Sequence, residues 1–226
     1  MTSNVIVTSD FPSTATPAAI FERMRSRSVD PRIAWIPPAT RTGRPRFPIA
    51  QKIWGAYGFS KLEYCDIDEQ PDSQKLAGLA GYDVIYLSGG EPLAFRHNIL
   101  KMDLAARFEE WVAAGHLLVG ASGGAMQLTQ NLSLFRLLTV DLGKVLSERE
   151  RYRALGVVDY EVLPHADRFD LPFLEAVQQY SEHVPHDVIA LADGAAVLHK
   201  SRTDFECIGP VVIFRRGGII PVQGAA

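Results

Sequence analysis

Leu117-Leu118-Val119-Gly120-Ala121-Ser122-Gly123-Gly124-Ala125 is the stretch on which the fold turns. An unbroken apolar run suits a parallel strand covered on both faces. Gly120 to Gly124 then follows the G-x-S-x-G pattern of a sharp strand-to-helix turn. Small neighbours let the backbone make that turn. A serine at its apex projects its hydroxyl above the sheet, and the next backbone N–H, at Gly123, faces the same space beside a helix start.

Outward from this stretch, short apolar strands alternate with helical segments. Strands are expected at Val5–Thr8, Ile33–Ile36, Lys61–Ile67 and Asp83–Leu87. Pro17 can open a first helix, with Ile20, Phe21 and Met24 as its apolar stripe. Further helices are expected near Ile49–Tyr57, Leu76–Gly81, Leu100–Ala114 and from Gly124 onward. Arg41 to Pro48, with three arginines and two prolines, is expected to be a mobile basic loop. Later strands are expected at Val157–Leu163 and Val188–Leu191. Leu171–Tyr180 reads as a helix, and short strands fall around Val197, Cys207, Val211–Phe214 and Ile219. The expectation is an α/β three-layer sandwich with a mostly parallel central sheet and a β-rich C-terminal segment, forming a single domain over residues 1–226. In such sheets ligands sit beyond the carboxyl ends of the strands, so Gly89-Gly90 and Ala121-Ser122 should share one rim.

Composition narrows the function. The chain has 226 residues, 47% hydrophobic and 22% charged, with a formal net charge of −3. That balance argues against non-specific nucleic-acid binding. The two cysteines, Cys65 and Cys207, exclude a disulfide framework and a Cys-rich zinc site. No apolar run reaches a membrane span, and the start lacks the signature of a signal peptide, so a cytoplasmic protein without membrane partners is expected. The full G-x-G-x-x-G fingerprint is missing around Gly89-Gly90, which disfavours nucleotide binding.

A serine hydroxyl needs a base to become a nucleophile. Of six histidines, His165 stands out, in Val162-Leu163-Pro164-His165 at the end of a strand-like run. His116 lies at the far end of its strand and His97 in a helical stretch; His183, His186 and His199 are expected to be solvated. A carboxylate should hold the imidazole tautomer. Asp141, Glu148 and Glu150 all fall between Ser122 and His165. Asp141 sits in an apolar stretch, the two glutamates in a charged run, and the sequence leaves the choice among them open.

These residues together resemble peptidase family S51, the aspartyl dipeptidase (peptidase E) and cyanophycinase family. Tyr86-Leu87-Ser88-Gly89-Gly90, the elbow at Ser122, Leu155-Gly156 followed by Pro164-His165, and Ile189 to Ala196 match its landmarks in order. The resemblance implies a class I glutamine-amidotransferase-like fold with Ser122 as nucleophile and His165 as base. It implies Asp141 as the nearest match for the acid and the backbone of Gly90 and Gly123 as oxyanion donors. It implies no metal and no cofactor. Three positions depart from the family pattern. Gly123 replaces the usual alanine, and Glu91 replaces an asparagine that receives an acidic substrate; Arg168 is an imperfect counterpart of the substrate-pairing arginine. Glu91 could instead hold a substrate's amino group.

The function expected is hydrolysis of small peptides through an acyl-enzyme, with Asp-X specificity in question because of Glu91. A homodimer is an admissible assembly. Two other readings stand beside it: an esterase-like serine hydrolase, and a non-catalytic binding or regulatory protein on the same fold. A glutamine amidotransferase is disfavoured, because no cysteine occupies the elbow.

Overall fold

The computed structural model describes residues 4–13, 16, 18–69, 71, 73–201 and 204–222. Pro17, expected to open the first helix, lies outside them. The chain runs β1 (Val5–Thr8), α1 (Ala18–Met24), β2 (Ile33–Ile36), α2 (Thr40–Ala56), β3 (Leu62–Tyr64), α3 (Ser73–Ala77) and β4 (Val84–Leu87). It continues through α4 (Pro92–Lys101), α5 (Leu104–Ala113), β5 (Leu117–Ala121), α6 (Gly123–Gln127), α7 (Leu142–Ser147) and β6 (Tyr160–Pro164). The last elements are α8 (Leu171–Glu182), β7 (Asp187–Leu191), β8 (Ala196–His199), β9 (Phe205–Ile208), β10 (Val211–Arg215) and β11 (Gly218–Val222).

A seven-stranded sheet has the order β3-β2-β4-β5-β1-β8-β9. Its first five strands are parallel, and β8 and β9 continue it antiparallel. Strand residues alternate between its two faces, as the period of two requires. Val5, Val7, Ile85, Leu87 and Leu118 pack under Phe95, Phe108 and Trp111 of α4 and α5. Ile6, Val84, Tyr86 and Val119 pack on the other face with Met24 of α1 and Trp54 of α2. Both faces being covered explains the all-apolar strand sequences.

A second, four-stranded sheet has the order β11-β10-β7-β6. Here β6 and β7 are parallel, with Pro164 opposite Leu191, and α8 is the crossover between them. Phe173, Val177 and Tyr180 of α8 close over Leu163, Val188 and Phe214 in a third apolar cluster. The C-terminal strands are thus divided between the two sheets.

Two local expectations are corrected. Arg41–Pro48 is not a loop but the first half of α2, with Pro45 and Pro48 inside the helix. Tertiary contacts override the prolines: Thr40 Oγ1 donates to the buried Asp66 carboxylate at 2.7 Å, and Phe47 packs on Trp35 and Tyr64. The helix expected over Leu100–Ala114 is two, because α4 ends at Lys101 and Asp103 takes a left-handed conformation (φ 50°) before α5.

His199, expected to be solvated, is 1% exposed. Its Nδ1–H donates to the Ser201 carbonyl, and its Nε2 accepts from Tyr160 O–H at 2.8 Å. Burial pushes its pKa below the usual histidine value, only partly opposed by the Ser201 carbonyl. An unfolded histidine protonates near pH ~6.5. The stability that His199 contributes is therefore complete above that pH and is lost as pH falls below it. His199→Gln should flatten the acid side of a plot of Tm against pH below about 6.5. An unchanged slope would remove His199 as its source. No helix among the described residues is long and apolar enough to cross a membrane.

Candidate active site

The carboxyl ends of β1, β5, β6 and β7 meet at one point. Ser122 follows β5 with φ 52° and ψ −119°, outside the ordinary regions for an L-residue. The turn is held from both sides. Ser122 N–H donates to the Thr8 carbonyl of β1 at 3.0 Å, and the Ser122 carbonyl accepts from Met126 N–H at 3.1 Å. The hydroxyl is thereby fixed above the sheet edge.

His165 follows β6, also left-handed at φ 59°. Its Nε2 lies 2.9 Å from Ser122 Oγ, and its Nδ1 lies 2.6 Å from Asp193 Oδ1. An ionised carboxylate only accepts, so Nδ1 carries the ring proton and Nε2 offers a lone pair to the Ser122 O–H. Parallel pairing delivers Asp193 to this place. With Pro164 opposite Leu191, the residues just beyond each strand end share the same rim.

Asp193 is held in turn. Its Oδ2 accepts from Arg168 Nε at 2.9 Å and from a second nitrogen of the same guanidinium. Its N–H donates to Asp167 Oδ1 at 2.9 Å, and Gly194 N–H donates to Asp10 Oδ1 at 2.6 Å. Partial burial alone would raise the Asp193 carboxyl. The hydrogen bonds from His165 and Arg168 outweigh it and hold the group below the usual carboxylate value. Asp193 therefore keeps its charge as pH falls toward 4.

Ser9, fully buried just past β1, ties these parts together. Its Oγ accepts His165 N–H at 2.8 Å and donates to Asp193 Oδ1 at 3.2 Å. No sequence pattern had marked it. One serine from the first strand thus fixes both the backbone of the histidine and the carboxylate behind it.

Gly90 and Gly123 lie against each other beside Ser122. Gly90 has φ 145°, and a Cβ there would stand 2.5 Å from Pro38. A Cβ on Gly123 would stand 2.1 Å from the Gly90 carbonyl oxygen, so here the alanine of the usual pattern would collide with this loop. Neither N–H donates to another acceptor among the described residues.

Three expected assignments are corrected. Asp141 caps α7, its Oδ1 accepting Lys144 N–H at 2.9 Å; the carboxylate on His165 Nδ1 is that of Asp193. Glu148 and Glu150, the other candidates, pair with Arg136 and Arg153. Glu91 caps α4, accepting Leu93 N–H at 3.0 Å and Ala94 N–H at 2.5 Å, which turns its carboxylate back onto the helix. Arg168, expected to pair with a substrate carboxylate, pairs with the Asp193 carboxylate in this structure. Asp193 lies 28 residues beyond His165 in sequence and meets it only through the pairing of β6 with β7. The available signal was a carboxylate two residues past an apolar strand and just before a glycine. Among the described residues, no three His, Cys, Asp or Glu side chains converge as metal ligands would.

The tight turn between β5 and α6, with Ser122 at its apex, has the geometry of a nucleophile elbow on an α/β fold. The sequence model of peptidase family S51 matches residues 5–205, and the chain belongs to that family. An uncharacterized peptidase of Pasteurella multocida is 26% identical over 160 residues, covering 68% of this chain and 74% of the relative. One from Listeria monocytogenes is 26% identical over 178 residues, covering 78% and 83%. Among solved structures, a putative peptidase E protein from Listeria monocytogenes superposes with a TM-score of 0.69 at 20% identity, over 92% of this chain and 98% of that one. A peptidase from an acI-B1 Actinobacterium superposes with a TM-score of 0.75 at 16% identity, over 100% of this chain and 96% of that one. These two share the fold.

Proposed function

We propose that this chain is a serine peptidase acting on small peptides through Ser122, His165 and Asp193. The observation that carries the proposal is the continuous hydrogen-bonded line from Ser122 Oγ to His165 Nε2 (2.9 Å) and from His165 Nδ1 to Asp193 Oδ1 (2.6 Å). Ser122 Oγ attacks the peptide carbonyl carbon while His165 Nε2 takes its proton. The Asp193 carboxylate stabilises the imidazolium and holds its tautomer. The oxygen of the tetrahedral intermediate accepts from the N–H groups of Gly123 and Gly90. The C–N bond then breaks, His165 returns the proton to the leaving amine, and an ester on Ser122 remains. Water, deprotonated by the same Nε2, attacks that ester; the bond to Ser122 Oγ breaks, Nε2 returns the proton to Oγ, and the acid is released.

Two features favour peptide over free amide or ester chemistry: membership of a peptidase family, and a cavity beside Ser122 large enough for one amino-acid residue. The test is labelling by a fluorophosphonate, which needs only an activated serine. The adduct, located by mass spectrometry, should fall on Ser122 and vanish in Ser122→Ala. A folded protein that stays unlabelled under forcing probe concentration would overturn the proposal.

A further inference from the structure

A cavity of about 390 Å³ opens beside Ser122, between α2 and the ends of β2 and β4. Gly89, Gly90 and Ser122 are among the residues that line it. Its wall is apolar: the rings of Phe11, Trp35, Trp54 and Tyr86, with Ile49 and Ile53 of α2. Three of the rings are locked edge to face, Phe11 on Trp54 at 5.0 Å and Trp54 on Tyr86 at 4.8 Å. The Tyr86 hydroxyl is already used, donating to the Phe11 carbonyl at 2.6 Å. The wall therefore offers apolar surface in a fixed shape, which favours binding because little ordering remains to be done.

One charge lines this cavity, Arg46 of α2. Its neighbour Arg44 is paired with Asp66 at 3.3 Å, whereas Arg46 has no carboxylate partner among the described residues, and no acidic residue lines the cavity. A guanidinium at the edge of an apolar cavity is suited to a carboxylate that arrives with the ligand.

We infer that the cavity receives the C-terminal residue of a peptide, its apolar or aromatic side chain on the Trp54–Tyr86 wall and its free α-carboxylate on Arg46. The inference rests on the serine peptidase reading and names its substrate class: short peptides, dipeptides above all, ending in residues such as Phe or Leu. Ser122 lines the same cavity, so the scissile carbonyl falls just before that residue. Hydrolysis then breaks the C–N bond and sends water's hydroxyl to the carbonyl carbon and its proton to the departing amino acid. An acidic side chain could also supply a carboxylate, but it would leave the aromatic wall uncovered.

The test is equilibrium binding by calorimetry on Ser122→Ala, which separates recognition from turnover. Ala-Phe should bind about 10- to 100-fold more tightly than Ala-Phe amide, the usual worth of a hydrogen bond to a charged group. It should bind about 10-fold or more tightly than Ala-Gly, from side-chain burial. Adding Arg46→Gln should bring acid and amide to within about twofold while keeping the preference for Phe over Gly. Arg46→Lys, which keeps the charge, should keep part of the difference. Ala-Asp amide, whose carboxylate is in the side chain, should bind weakly.

Equal binding of acid and amide, a difference that survives Arg46→Gln, strong binding of Ala-Asp amide, or no binding of any of these peptides would each overturn the inference. Fluorophosphonate labelling of the parent protein reports on the peptidase reading separately. A labelled Ser122 with no carboxylate preference removes this inference alone. An unlabelled Ser122 with the preference intact removes the peptidase and leaves the binding site.

Discussion

Asp193→Asn is expected to lower kcat/KM by about 10³- to 10⁴-fold, with the fold intact. Asparagine is nearly isosteric, so the second bond to Arg168 can partly survive. Its amide can present an N–H to His165 Nδ1, which moves the ring proton to Nε2. Nε2 then faces Ser122 as a donor and cannot take the hydroxyl proton. The matched comparison is Asp141→Asn. Asp141 caps an exposed helix end, and asparagine caps comparably well, so activity should stay within about twofold. Peptide hydrolysis measured on both variants decides between the two carboxylates. A large loss in Asp141→Asn, or a small one in Asp193→Asn, would assign the acid wrongly here.

Glu161→Ala is expected to cost about 3–5 kcal/mol, the usual consequence of removing one partner from a buried ion pair. Glu161 is 0% exposed on β6. Its carboxylate accepts from Arg149 at 2.7 Å, His186 Nε2 at 2.8 Å and Tyr180 O–H at 3.0 Å. Removing it leaves a half-buried guanidinium and a buried hydroxyl without their acceptor. For a chain of this size the loss corresponds to a fall in Tm of about 6–20 °C. Thermal unfolding followed by circular dichroism measures it, and a fall of less than about 3 °C would mean that water replaces the carboxylate freely. Because β6 also delivers His165, activity should decline at lower temperatures than in the parent protein.

The parallel sheet was legible in the sequence because its strands are apolar on both sides and punctuated by glycine. Ser122 and His165 were legible for the same reason, each lying at the end of such a run. Asp193 obeyed that rule too, at the end of Val188–Leu191, and was missed because a chain order of serine, acid, histidine was assumed. Chain order carries no physical weight once strands pair, since β6 and β7 bring residues 165 and 193 together whatever lies between them. Arg41–Pro48 was misread because local propensity disfavours a helix with two internal prolines. The contacts of Thr40 and Phe47 that reverse this lie in other strands and loops. His186 and His199 looked solvated because their partners, Glu161 and Tyr160, are distant in sequence. Ser9 carried no signal, as a buried serine after a strand is common and its partners lie more than 150 residues away.

The proposed nucleophile and the proposed base follow strands of different sheets. Ser122 and its brace Ser9 follow strands of the larger sheet, His165 follows β6 of the smaller, and Asp193 lies in the connection from β7 of the smaller to β8 of the larger. Neither sheet holds a working set by itself. On the proposed mechanism cleavage becomes a readout of docking: the chain is chemically silent unless the two sheets are closed on each other.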